Sequence, residues 1–181
     1  MCPPAPSLFP LRGCAQVSTS RYWFNYRHTT NALTIYHRLR RAGVSDDNIV
    51  LMLADDFACD PRNPERGRLY SDLQHSDDIN RDVVVDYRGN DVSARNFLNV
   101  LSGRHAPGTA ATQRLQSDAG SDVLLYMTGH GGDEFLKFRD FEEMTAVDLG
   151  VAISEAHIGQ RYSACRALAA ALSPALPPLP G

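Results

Sequence analysis

One histidine has the placement that proton-transfer chemistry asks for. His130 stands in LLYMTGHGGDEFLKF, after an apolar run and between glycines. An almost wholly apolar run such as 122–127 reads as a strand buried on both faces. In an open α/β sheet, ligands bind beyond the carboxyl ends of such strands. His130 is therefore placed to serve as a general acid or base. The flanking glycines let a backbone approach closely and leave amide N–H groups, that of Gly131 first, to meet an oxyanion. A turn histidine between permissive glycines explains the same local motif, and the motif alone does not choose. A second stretch, SRYWFNYRH over 20–28, holds the only tryptophan, three other aromatics, two arginines and a histidine. An aromatic core wall with charges reaching to solvent accounts for Trp23 and Phe24. It accounts less well for Asn25, Arg27 and His28 together at the start of a helix. The two stretches offer a base without an evident nucleophile.

The elements that must position these residues follow from periodicity. Ala32, Leu33, Ile35, Tyr36 and Leu39 recur at helical spacing, which predicts a helix over 29–41 that stops at Gly43, with arginines near its negative end. Residues 49–54 (IVLMLA) read as a second buried strand, and 14–20 as the tail of a strand with little before it. VVVDY over 83–87 reads as an edge strand or hairpin arm. Ser93 is a suitable N-cap for a helix ending at Gly103, and Thr145 with Asp148 for a later one. FLKF over 135–138 alternates as a small hairpin would. Strands alternating with helices predict an α/β layer fold with a mostly parallel sheet. Residues 1–14 read as a disordered leader. Residues 163–181, rich in alanine, leucine and proline, show no strand pattern and read as a solvated tail.

Composition narrows the function classes. The chain has 181 residues and a net charge of −3. That fits one globular domain and excludes a broad basic field for nucleic acid or an anionic bilayer. No apolar run reaches the roughly 20 residues that a membrane span needs, and the N-terminus lacks the basic start of a signal peptide. Cys2, Cys14, Cys59 and Cys165 form no CxxC pair and read as lone thiols.

Six segments in order, SRYWFNYRH, IVLMLADD, ACDPRNP, VDYR, NFLNVLSGR and YMTGHGGDEFLKF, resemble the catalytic subunits of glycosylphosphatidylinositol (GPI) anchor transamidases, a branch of the legumain-like cysteine peptidases. The resemblance runs over about 17–162. It implies the caspase-type α/β fold, with residues 15–162 as a partial catalytic domain that is incomplete on its C-terminal side. It implies His130 as the catalytic base, Gly131 as an oxyanion donor, Asn25 as the group that orients the histidine, and Arg27 as a substrate-pocket residue. It implies acyl transfer through a cysteine thiolate: the C-terminal signal of a proprotein is cleaved, and the amine of a preassembled GPI lipid takes its place. The implied partners are other transamidase subunits, the signal peptide and the lipid, on the lumenal side of the endoplasmic reticulum membrane, with no cofactor. The resemblance puts Asp46 and Asp86 near a structural cation site of the family, but two aspartates do not make a site.

The sequence departs from this pattern where the nucleophile belongs. The family places a cysteine about forty residues after the histidine, at the end of the next parallel strand, and RALAAALSPALP stands there instead. Cys165 comes several residues too early. The expectation is a truncated transamidase homologue that is inactive alone, with its central sheet edge left unpaired. The alternatives are a non-catalytic pseudoenzyme that binds transamidase partners, and a legumain-like asparaginyl endopeptidase.

Overall fold

The computed structural model describes residues 11–173. Strand β1 (Leu11–Ser18) and strand β2 (Ile49–Leu53) pair in parallel, with Cys14 opposite Ile49 and Ser18 opposite Leu53. Strand β4 (Asp122–Gly132) joins the other side of β1 in parallel, with Ser18 opposite Thr128. Strand β3 (Tyr87–Arg88) adds two residues beside β2. Strand β7 (Ala164–Ser173) pairs with β4 in parallel. The parallel order is thus β3-β2-β1-β4-β7. At its far end β4 turns antiparallel with β5 (Phe135–Phe138), which pairs with β6 (Glu142–Thr145).

Alternation along the strands decides which helix covers which face. Ala15, Val17, Val50, Met52, Val123, Leu125 and Met127 point into one core with helix α2 (Ala94–Ser102) and helix α3 (Ala146–Ile158). Cys14, Ile49, Leu51, Leu53 and Tyr126 point into the other, against Ala32, Leu33 and Tyr36 of helix α1 (Tyr26–Arg41). The result is the layered, mostly parallel α/β fold expected from the sequence, with helices on both faces. Local signals act as expected at three ends. Gly43 leaves α1 at φ +92°. The Ser93 side chain accepts from the Asn96 N–H. Thr145 and Asp148 form a reciprocal capping box.

Four expectations differ from the structure. β1 begins at Leu11, inside the stretch read as leader; residues 1–10 lie outside the described residues. α1 begins at Tyr26, three residues earlier than the periodicity suggested, because Asn25 and Tyr26 continue directly from a 3₁₀ turn over Trp23–Asn25. The stretch 83–86 forms no strand. Asp86 accepts the Leu51 N–H through Oδ2 at 2.9 Å and donates its own N–H to Leu51 O at 2.9 Å, so a side chain competes for the ladder. Finally, 164–173 is a strand rather than a solvated tail. The open side of β4 offers a full row of backbone partners, and residues 174–181 of that tail lie outside the described residues. β4 is therefore paired on both sides, not left as an edge.

Candidate active site

Strands run outward in one direction from β1 to β3 and in the other from β4 to β7, so the sheet reverses between β1 and β4. In open α/β sheets ligands bind at such a reversal, at the carboxyl ends of the two strands. His130 stands at that end of β4. The register matches Ser18 to Thr128, so the chain just past β1 runs beside His130. Tyr126 faces α1, and two-residue alternation carries Thr128 and His130 to the same side.

The segment after β1 brings Asn25 back to this point. Tyr22 adopts φ +71°, uncommon for a residue with a side chain. Its N–H donates to Asp55 Oδ2 at 2.7 Å, and its carbonyl accepts the Asn25 N–H at 2.9 Å. Asn25, 1% exposed, donates from Nδ2 to Arg21 O at 2.6 Å. That bond fixes the amide orientation and turns Oδ1 toward His130 Nε2, 2.6 Å away. An amide oxygen only accepts, so His130 Nε2 must carry the proton and donate. The lone pair of the neutral ring is then on Nδ1. Among the described residues Nδ1 is buried and has no partner.

Electrostatics favour the neutral base. Burial pushes His130 below the ordinary histidine range; Arg27 pushes it the same way, Asp140 opposes and Lys137 adds to the lowering. Arg27 also donates to Phe24 O at 3.1 Å and lines a pocket of about 460 Å³ with Trp23, Tyr26, Glu65, Tyr70 and His75. Gly131 follows His130 and pairs with Leu136 where β4 meets β5. The close approach read into the flanking glycines is real at Gly129, but its neighbour is protein: a Cβ there would lie 1.9 Å from Thr19 Oγ1.

The described thiols do not join this group, and Cys2 lies outside the described residues. Cys165 pairs with Val123, seven residues before His130 along β4, which is roughly 23 Å at about 3.3 Å per residue. Burial raises its thiol pKa. Cys14 is fully buried, its thiol pushed up to about 12 by burial. Cys59 is exposed and raised chiefly by a hydrogen bond to Asp56. At the register level, Leu172 stands beside Gly129 and Ser173 beside His130. Among the described residues, then, no cysteine reaches the histidine.

The described residues also contain no group of three or more histidine, cysteine or acidic side chains placed to hold a metal ion. Asp46 accepts from the Tyr36 hydroxyl. Asp86 is raised to about 6, first by burial, with its bond to the Leu51 N–H opposing and Asp46 raising it further. Sequence reasoning passed over Tyr22 and Asp55, which form the turn behind Asn25, and Ser20, which holds His28. The one available signal was the acidic pair directly after a buried strand, at the same sheet rim as His130.

The mostly parallel, layered α/β sheet fits the caspase- and legumain-like fold. A family model described as the Peptidase C13 family matches residues 14–173, and the chain belongs to that family. It is 49% identical over 146 residues to the "Putative GPI-anchor transamidase" of Caenorhabditis elegans, covering 81% of this chain and 46% of that protein. To the "GPI-anchor transamidase" of Homo sapiens it is 49% identical over 148 residues, 81% of this chain and 38% of that protein. To that of Schizosaccharomyces pombe it is 43% identical over 148 residues, 81% of this chain and 39% of that protein. The chain spans less than half the length of these relatives. No helix among the described residues is long and apolar enough to cross a membrane.

Proposed function

We propose that this chain carries the base-bearing half of a GPI-anchor transamidase catalytic site. His130 Nδ1 takes the proton of a cysteine thiol, and the thiolate attacks the carbonyl at the attachment residue of a proprotein. His130 then returns the proton to the departing amine of the hydrophobic C-terminal signal. The terminal amine of a GPI lipid then attacks the thioester carbonyl and gives its proton to His130; the C–S bond breaks, and the departing cysteine thiolate takes that proton back from His130. Asn25 holds the ring with Nε2–H inward, so that the lone pair faces the reacting atoms. The Gly131 amide is the donor to the oxyanion, and Arg27 contacts substrate from the adjoining pocket. The partners are other transamidase subunits, the signal peptide and the lipid, on the lumenal side of the endoplasmic reticulum membrane.

One observation carries this reading. Two residues 105 positions apart meet at 2.6 Å, with the acceptor amide locked from behind. The test is a transplant of residues 11–163 into the human relative, which supplies the rest of the protein. Expression in cells lacking the transamidase catalytic subunit is expected to restore GPI-anchored proteins at the cell surface. A chimera that is stably expressed but restores none counts against the proposal.

A second reading has its own observation. With no cysteine at the rim among the described residues, the chain itself is expected to transfer nothing and to act, if at all, by occupying transamidase partners. Co-purification of the unaltered chain with the other subunits, together with reduced anchoring in normal cells, would favour it. Cleavage of soluble peptides after asparagine by the chimera, without anchor attachment, would favour an endopeptidase instead.

A further inference from the structure

His28 has no part in the proposed reaction, yet it is the side chain most awkward to explain as filler. It is 0% exposed, although it carries two polar nitrogens. Nδ1 is 2.7 Å from Ser20 Oγ. Among the described residues Nε2 has no partner and is buried, a state that generally costs about 1–3 kcal/mol. Its ring stands edge-on to that of His130, centroid to centroid 5.0 Å, at 73°. The elements packed here present few other charges. Arg27 acts on both rings, and Asp140 and Lys137 act on His130.

We propose that His28 is a positioning residue for His130: an uncharged imidazole, anchored by Ser20, that forms the wall fixing the plane of the His130 ring. Asn25 fixes only one atom of that ring. A ring held at Nε2 alone can still rotate about the bond to Asn25 Oδ1. An aromatic neighbour packed at 73° removes that freedom. The wall must also stay neutral, because a second charge 5.0 Å away would oppose the imidazolium that forms during transfer. Burial first, then Arg27, then His130 itself lowers His28 to about 4. His28 is therefore uncharged at neutral pH. Ser20 has a matching task. It occupies Nδ1 of His28 and so stops that ring from turning.

The inference rests on His130 being the base, but its test needs no turnover, so its failure would leave the proposed function standing. The ¹⁵N-labelled chain is titrated by NMR, following the His130 ring nitrogens and the hydrogen-bonded Nε2 proton, assigned with His130→Ala. His28→Ala is expected to raise the His130 midpoint by about half a unit or more as water enters, and to broaden away the Nε2 proton. His28→Phe, which keeps a neutral ring, is expected to retain both. A His28→Ala titration superimposable on the parent overturns the proposal, and so does His28→Phe behaving like His28→Ala. If circular dichroism shows that His28→Ala does not fold, Ser20→Ala decides. A smaller shift in the same direction supports the proposal, and an unchanged His130 overturns it.

Discussion

At the scale of single residues, the assignment turns on which way one amide points. Asn25 Nδ2 is committed to Arg21 O, so Oδ1 is left for His130 and the histidine tautomer follows. A flipped amide would present N–H to N–H and lose both bonds. In the human chimera, Asn25→Ala is expected to lower the anchor-transfer rate by about 10²-fold or more with the protein still folded. Loss of the orienting partner in comparable triads costs up to about 10⁴-fold. Steady-state transfer to a reporter proprotein checks this, and a rate within a factor of about two of the parent would reject the orienting role. The residues of this pair were legible through the family resemblance of the NYRH and GHG segments, because the local motif alone does not choose between a base and a turn histidine. Ser20, Tyr22 and Asp55 were not. Tyr22 and Asp55 depend on a positive φ and on a contact spanning 33 residues, and Ser20 on its bond to the buried His28, none of which local spacing encodes.

At the scale of elements, strand parity does the positioning. His130 faces α1 because Tyr126 does, and Gly129 lets the β4 backbone pass Thr19 without a side chain between them. Thr19 cannot give way. Its N–H donates to Thr128 O at 2.9 Å, and its carbonyl accepts the Arg139 N–H at 2.7 Å. Gly129→Ala is therefore expected to destabilise the fold by about 1–3 kcal/mol, read as a lower denaturation midpoint, with His130 displaced. A second strand position predicts the opposite sign. Gln16 is 0% exposed in the centre of β1, and its amide atoms find no oxygen or nitrogen partner among the described residues, only the weakly bonding Cys14 thiol nearby. Gln16→Leu has nearly the same volume and removes two orphaned groups, so it should stabilise by about 1–3 kcal/mol. A chemical denaturation series that shows a loss would mean the amide is satisfied after all. Strands with a continuous apolar run, such as 49–53 and 122–127, were legible from the sequence for the reason that parallel strands are covered on both faces. β7 was not, because alanine carries weak strand preference and the ladder beside β4 supplies the order that the pattern lacks.

At the scale of the whole molecule, the buried histidine links folding to pH. The folded state holds His28 at about 4, whereas the unfolded chain returns it to 6.5. Between those values the unfolded state binds more protons, so stability is fully present above pH 6.5 and is lost as pH falls toward 4. Asp86, raised to about 6 by burial and then by Asp46, contributes the opposite slope below that value. The difference between the parent and His28→Phe isolates the histidine. The parent should lose up to about 3 kcal/mol relative to the variant across this window, and parallel stability curves would show that His28 is not held neutral. The layered α/β class was readable from the order of elements, and the same order puts the candidate site at the sheet's rim, because ligand sites in such sheets follow strand ends. Which strand stands beside β4 was not readable, because pairing is a long-range choice. The central claim is that His130 is the base of an acyl-transfer site, and the most direct measurement is anchor attachment by the chimera carrying His130→Ala. The account predicts attachment at background level with normal expression and assembly; attachment at the parent's level would contradict it.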